Sequence, residues 1–276
     1  MSIVDSHHHF WKYTTAEYGW IPDSMAVLRQ DYLPAHLAAE MAAGGVQRAV
    51  SVQVRQTVEE SRWLLEIADA TPFIAGVVGW VPLAGPSAGA VLEELAVHPK
   101  FRGVRHILQD EPANELMDDP AFRRGIGQLA RHGLTYDILI HERHLDQAIR
   151  LVRAFPGQIF VLDHIAKPRI RQRVMEPWAR QLREISQFEN VYCKLSGIAT
   201  EADWANWEPG DVRPYMDHAL ECFGPRRLMF GSDWPVMLVA TSYGRWRDQV
   251  LEFASSLSRS ERDRLLGGTA VEAYRL

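Results

Sequence analysis

The chain has 276 residues, enough for one large α/β domain or two small ones, with a substantial core. Its 47% hydrophobic and 24% charged residues are those of an ordinary globular protein, and a formal net charge of −5 gives no basic footprint for nucleic acid or an anionic membrane. No apolar run approaches the roughly 20 residues that span a bilayer. The N-terminus enters a strand with no leader core, and the two cysteines, Cys193 and Cys222, form no CxxC pair; together these predict a cytoplasmic protein in a reducing compartment.

Taken in chain order, strand-like runs fall at 3–6, 48–54, 74–81, 102–107, 134–140, 158–163, 191–196 and 228–231. Most are continuously apolar rather than alternating, as expected for parallel strands buried on both faces. Helical patterns lie between them. Leu33, Leu37 and Met41 repeat at four, and Leu145, Ala148, Ile149 and Val152 form an i, i+3, i+4, i+7 stripe. Strand–helix alternation on this scale predicts a (β/α)8 TIM barrel, a single domain over 1–276. A doubly wound sheet would want a Gly-rich phosphate turn after strand one, where this chain has His8-His9-Phe10-Trp11.

Four polar residues stand at the ends of these runs. The first run leads into His7-His8-His9, and since side chains two apart on a strand project the same way, His7 and His9 converge while His8 faces elsewhere. His164 follows the sixth run and Asp233 the eighth. In a closed barrel these four meet at the C-terminal end, a hydrolase-type site. A second tier of substrate-binding candidates comprises Arg105 and His106 on strand four, Gln53 and Arg55 after strand two, Trp80 after strand three, and Lys194, which shares a face with Ser196 on strand seven. Arg105 has an alternative reading, closure onto an acid such as Asp137. Buried lysine is rare unless paired, so Lys194 is expected to face the polar mouth. Two long loops, 10–34 and 198–212, follow strands and carry Trp11, Tyr13, Tyr18, Trp20 and Tyr32, and Trp204 and Trp207; Trp11 is expected to contact substrate. His36, His98, His132, His144 and His218 are expected at the surface.

The opening Val4-Asp5-Ser6-His7-His8-His9-Phe10-Trp11 resembles that of the second large branch of the amidohydrolase superfamily. Asp163-His164-Ile165-Ala166-Lys167-Pro168, Lys194-Leu195-Ser196-Gly197, Phe230-Gly231-Ser232-Asp233-Trp234-Pro235 and Gly267-Gly268-Thr269-Ala270 match as well, in the same order and over essentially the whole chain. The likeness is greatest to the sugar-lactonase group. The resemblance implies a site of His7, His9, His164 and Asp233, holding at most one divalent metal. Binuclear members need a lysine or acid at the end of strand four, where this chain reads Gly103-Val104-Arg105-His106-Ile107.

That group of residues permits lactone opening, with Asp233 as general base and His7, His9 and His164 polarising the carbonyl directly or through one ion, Zn²⁺ first, held by His7, His9 and Asp233. Activity is expected to survive chelation, because a lactone is an activated ester. The expected partner is a small-molecule lactone, and a homo-oligomer stays open. The alternatives are a pyrone or muconolactone-type lactonase of aromatic catabolism, which would favour several cations at the mouth, and a Zn-dependent non-oxidative decarboxylase, which would carry a metal-binding glutamate on strand one. A silent barrel acting as a binding protein would not need all four polar strand ends.

Overall fold

A computed structural model of the chain describes residues 2–111 and 115–276. Eight strands lie side by side in sequence order: β1 (Ile3–His8), β2 (Val46–Val52), β3 (Ile74–Gly79), β4 (Phe101–Ile107), β5 (Thr135–Leu139), β6 (Phe160–Leu162), β7 (Val191–Leu195) and β8 (Leu228–Phe230). Every neighbouring pair is parallel. The ring nearly closes between β8 and β1, where the Asp233 amide donates to the His7 carbonyl at 2.7 Å and the His9 amide to the Trp234 carbonyl at 2.7 Å. The expected (β/α)8 barrel is the observed one.

Each strand is followed by a helix: α1 (Pro34–Gly44), α2 (Val58–Ala70), α3 (Ala88–Ala96), α4 (Pro120–Leu129), α5 (Leu145–Ala154), α6 (Trp178–Ile185), α7 (Pro209–Arg227) and α8 (Tyr243–Ala254). Their starts follow ordinary capping chemistry. The Thr57 hydroxyl accepts from the Glu60 amide at 3.2 Å ahead of α2, and Asp119 accepts from the Ala121 amide at 2.6 Å ahead of α4, whose first residue is Pro120. Apolar stripes face the sheet as the periodicity requires, with Leu37 and Met41 of α1 and Leu145, Ala148, Ile149 and Val152 of α5 all buried. Among the described residues no helix is long and apolar enough to cross a membrane.

The inside of the barrel is divided by chemistry. Val4, Val50, Val52, Val78, Val161 and Met229 form an apolar cluster with Ala270, Ala273 and Tyr274, which lie on a C-terminal helix, Thr269–Tyr274. Side-chain alternation along β4, β5 and β7 then brings Arg105, Asp137 and Lys194 inward, and all three are buried. A register irregularity in β1 between Asp5 and His8 lets both Val4 and His7 face the interior. His144, expected at the surface, is fully buried. The long loop 10–33 packs its aromatics on one another, with Trp11 at 5.4 Å from Tyr32 and 5.8 Å from Tyr18, ring centre to ring centre.

Candidate active site

At the C-terminal end of the barrel the four polar strand ends converge. His7 Nε2 lies 3.2 Å from His9 Nε2 and 3.7 Å from Asp233 Oδ1. His9 Nε2 is 3.2 Å and His164 Nε2 3.9 Å from that same oxygen. His8 points away, to the Ser51 hydroxyl at 2.9 Å, as the two-residue repeat requires.

The backbone works against its own preferences to build this group. Asp233 has φ of 63°, and His164, Ile165, Ala166 and Lys167 are four consecutive non-glycine residues at φ of 54°, 47°, 62° and 49°. Left-handed backbone costs about 1–2 kcal/mol at each such residue, so the surroundings must over-determine the turn. They do so with the Trp178 indole N–H donating to the Ile165 carbonyl at 2.7 Å, the Lys167 amide donating to the His164 carbonyl at 2.9 Å, and a hydrogen bond of 2.8 Å between His164 Nδ1 and the Ser196 hydroxyl. Gly197 lies against the group at φ of +60°; a Cβ there would come within 2.7 Å of His164 Nδ1 and 3.0 Å of Asp233 Oδ2. Glycine therefore both accepts the left-handed turn and leaves the outer carboxylate oxygen approachable.

Burial lowers all three imidazoles, His7 well below its usual value with Lys194 adding to the effect, and His164 to about 4. Burial pushes Asp233 up, but the neighbouring His164 and His9 outweigh it and hold the carboxyl below its ordinary range. At neutral pH the group is one carboxylate among neutral histidines. His9 Nδ1 sits 2.8 Å from the Val52 carbonyl, which can only accept, so the ring proton is on Nδ1 and Nε2 is a bare lone pair. Lone pairs of His9 and Asp233 thus face each other at 3.2 Å, beside His7 Nε2. A tetrahedral ion with bonds of about 2.0–2.2 Å spaces its ligand atoms by roughly 3.3 Å, so His7, His9 and Asp233 fit a single Zn²⁺. His164, with His7 and Asp233, also offers ligand atoms within 4.8 Å of one another.

A charged network lies beneath. Lys194 Nζ donates to Asp137 Oδ2 at 2.7 Å, reaches Asp163 Oδ1 at 2.9 Å and stands 3.1 Å from His7 Nδ1. Arg105 donates to Asp163 Oδ2 at 3.0 Å and approaches His7 Nε2 at 3.3 Å, while its other N–H groups hold Gln53, through Oε1 at 2.8 and 2.9 Å and through the carbonyl. Burial would raise Asp163, but Lys194, His7 and Arg105 hold it well below its usual value.

The second-tier candidates separate accordingly. Lys194 is enclosed under His7 and does not reach the mouth, because its charge is matched by two inward acids. Arg105 closes onto Asp163 rather than Asp137, and Gln53 is occupied by Arg105. Trp11 is fully buried, its indole N–H spent on the Gln30 carbonyl at 2.9 Å, so it offers no surface to a ligand. Trp80, His106 and Arg55 remain part-exposed. The Trp80 indole donates to His106 Nδ1 at 3.2 Å, which leaves the proton on Nε2 to donate to Glu111 at 2.8 Å. Arg55 pairs with Glu17 at 2.8 Å.

A family model described as amidohydrolase matches residues 4–276. The chain belongs to the amidohydrolase family. It is 41% identical to L-fucono-1,5-lactonase of Burkholderia multivorans over 99% of this chain and 96% of that one. It is 37% identical to L-fucono-1,5-lactonase of Burkholderia ambifaria over 99% and 95%. The crystal structure of an amidohydrolase from Burkholderia multivorans with bound zinc superposes with a TM-score of 0.97, at 40% identity and with both chains covered in full. Within this amidohydrolase barrel the sequence pattern does not single out Asp163, Asp137 or Tyr274, which the fold brings into the buried network beneath the histidines. Asp137 carried a usable signal, being an acid inside an otherwise apolar strand, which demands a buried cation. Asp163 was hidden by its neighbour His164, since adjacent strand residues normally face opposite ways and only the left-handed turn brings both inward.

Proposed function

We propose that the protein hydrolyses a 1,5-lactone of a sugar acid to the open hydroxy acid. The observation that carries this reading is the convergence of Asp233 with His7, His9 and His164 at the barrel mouth, on a chain 41% identical to an L-fucono-1,5-lactonase. The shortest imidazole contacts of Asp233 go to Oδ1, and Oδ2, beside Gly197, is the oxygen to take a proton from water. The hydroxide adds to the lactone carbonyl carbon, and the oxyanion that forms is met by the imidazoles of His7 and His164, the His9 proton being held on Nδ1 by the Val52 carbonyl. Collapse breaks the bond to the ring oxygen, which leaves with the proton that Asp233 took, and the product acid ionises. A Zn²⁺ held by His7, His9 and Asp233 would supply polarisation of the carbonyl.

The aromatic-lactone alternative wants several free cations at the mouth, but Arg105 is consumed by Gln53 and Asp163 and Arg55 is paired with Glu17, which leaves Lys167, in the His164 turn, as the cation acting on Asp233. The decarboxylase alternative wants a strand-one acid in the site, but Asp5 is turned outward to the Ser232 amide at 2.8 Å and the Tyr243 hydroxyl at 3.1 Å. Part-exposed Trp80, His106 and Arg55 suit a neutral, hydroxyl-rich ring. A pH-indicator screen of aldono-1,5-lactones, aldono-1,4-lactones and carboxylated muconolactones tests the reading. The 1,5-lactones are expected to turn over fastest; preference for a carboxylated muconolactone would refute it.

The convergence of bare lone pairs makes a specific expectation about metal. Chelator-stripped protein should take up one equivalent of Zn²⁺ in a calorimetric titration, and His9→Ala and Asp233→Ala should each abolish that uptake. Stoichiometric binding unaffected by both substitutions would move the ion elsewhere. Assay of the stripped protein then decides whether turnover survives chelation.

A further inference from the structure

Below the histidines the interior holds a chain of contacts that the reaction as written does not use. Tyr274, on the C-terminal helix Thr269–Tyr274 that lines the apolar half of the interior, is almost completely buried. Its hydroxyl donates to Asp137 Oδ2 at 2.5 Å, the same oxygen that accepts from Lys194 at 2.7 Å. The Lys194 ammonium sits 5.3 Å from the centre of the Tyr274 ring and 3.1 Å from His7 Nδ1. Burial and the adjacent Asp137 carboxylate push the Tyr274 hydroxyl well up, so it keeps its proton and remains a donor. A buried phenol needs a partner, and an ammonium with three N–H groups needs three acceptors. Here Asp137 Oδ2 serves both the phenol and the ammonium, and the arrangement reaches His7.

We propose that Tyr274 is a positioning residue for the active site, acting through Asp137 and Lys194 to fix the His7 imidazole from below. The placement of Lys194 is the key. Asp137 accepts from one of its N–H groups, the Asp163 carboxylate lies 2.9 Å from the ammonium, and His7 Nδ1 stands 3.1 Å away. Without the Tyr274 hydroxyl, Asp137 Oδ2 loses a short charge-assisted bond and can follow Lys194 rather than anchor it. The ammonium then has room to shift within the interior, and the His7 ring loses a fixed partner on the side away from substrate. The effect falls on geometry at the reacting carbonyl, where small displacements change rate more than binding.

This inference rests on the lactonase reading for its kinetic test and on an independent spectroscopic test for its structural one. Tyr274→Phe keeps the ring over Lys194 and removes only the hydroxyl. It is expected to lower kcat about tenfold with KM within about twofold. In the Asp137→Asn background, where the anchor is already lost, Tyr274→Phe should add little, because both act along one path. Effects that multiply independently, or a wild-type kcat in Tyr274→Phe, would overturn the proposal. Should Tyr274→Phe fail to fold, Thr135→Val removes the hydroxyl that donates to the other oxygen of Asp137 at 3.0 Å and is expected to give a smaller loss of kcat, again absent in the Asp137→Asn background. In protein labelled at the histidine ring nitrogens, the His7 resonances should move in whichever variant folds, while those of exposed His36 stay in place. Unmoved His7 resonances sink the proposal even if the wild type opens no lactone, and a wild type inert toward every lactone with His7 resonances that move would sink only the lactonase reading.

Discussion

Asp233→Asn is expected to lower kcat by about 10²–10⁴, the usual size of general-base catalysis, with the fold intact. The substitution keeps the shape of the side chain 3.2 Å from His9 but replaces the basic carboxylate with an amide. The carboxyl is held below its ordinary range by His164 and His9 against burial. The wild-type rate should therefore stay level from neutral pH downward and fall only in the acid range, as the carboxylate protonates and ceases to be a base. A steady-state pH profile of kcat/KM for wild type and variant checks both points. Turnover near wild type in Asp233→Asn would shift the base role, most directly to His164, which is also unprotonated at neutral pH with its value lowered to about 4.

How far such a site can be read before folding depends on what each residue answers to. The strands were legible because parallel strands covered on both faces must be apolar throughout, and the runs at 48–54, 74–81, 102–107 and 191–196 overlap β2, β3, β4 and β7 with end shifts of one or two residues. His7 and His9 were legible from the strand repeat alone. β1 runs on to His8, beyond the apolar run, because His7 and His9 are satisfied inside the barrel rather than in solvent. β6 stops at Leu162, earlier than its pattern, because the chain enters a left-handed turn that no glycine announces. That turn is a tertiary product, held by Trp178 and Ser196 from elsewhere in the sequence, so local propensity carries no trace of it. The reversal of Lys194 from mouth to interior has the same origin. Its partners Asp137 and Asp163 lie 57 and 31 residues away and become neighbours only when β5, β6 and β7 pair.

Lys194→Met should be the most damaging single change to stability, by about 3–5 kcal/mol, the range found when one partner of a buried ion pair is removed. Methionine fills most of the volume, so the loss is electrostatic rather than a cavity. Asp137 and Asp163, fully buried, would be left with Arg105 as the nearest cation, and Arg105 reaches only Asp163. The sign of the pH dependence follows. An acid stranded in the interior has its folded pKa raised above the unfolded value, so the variant loses stability as pH rises through the ordinary carboxylate range and recovers part of it on acidification. The difference between wild type and Lys194→Met in urea midpoint should accordingly shrink from neutral to mildly acid pH. A companion substitution separates charge from packing: Asp137→Asn in the Lys194→Met background removes one stranded acid while keeping a partner for the Tyr274 hydroxyl, and is expected to restore part of the loss. A double variant no more stable than Lys194→Met alone would mean that Lys194 serves chiefly as packing against the Tyr274 ring, 5.3 Å from its ammonium.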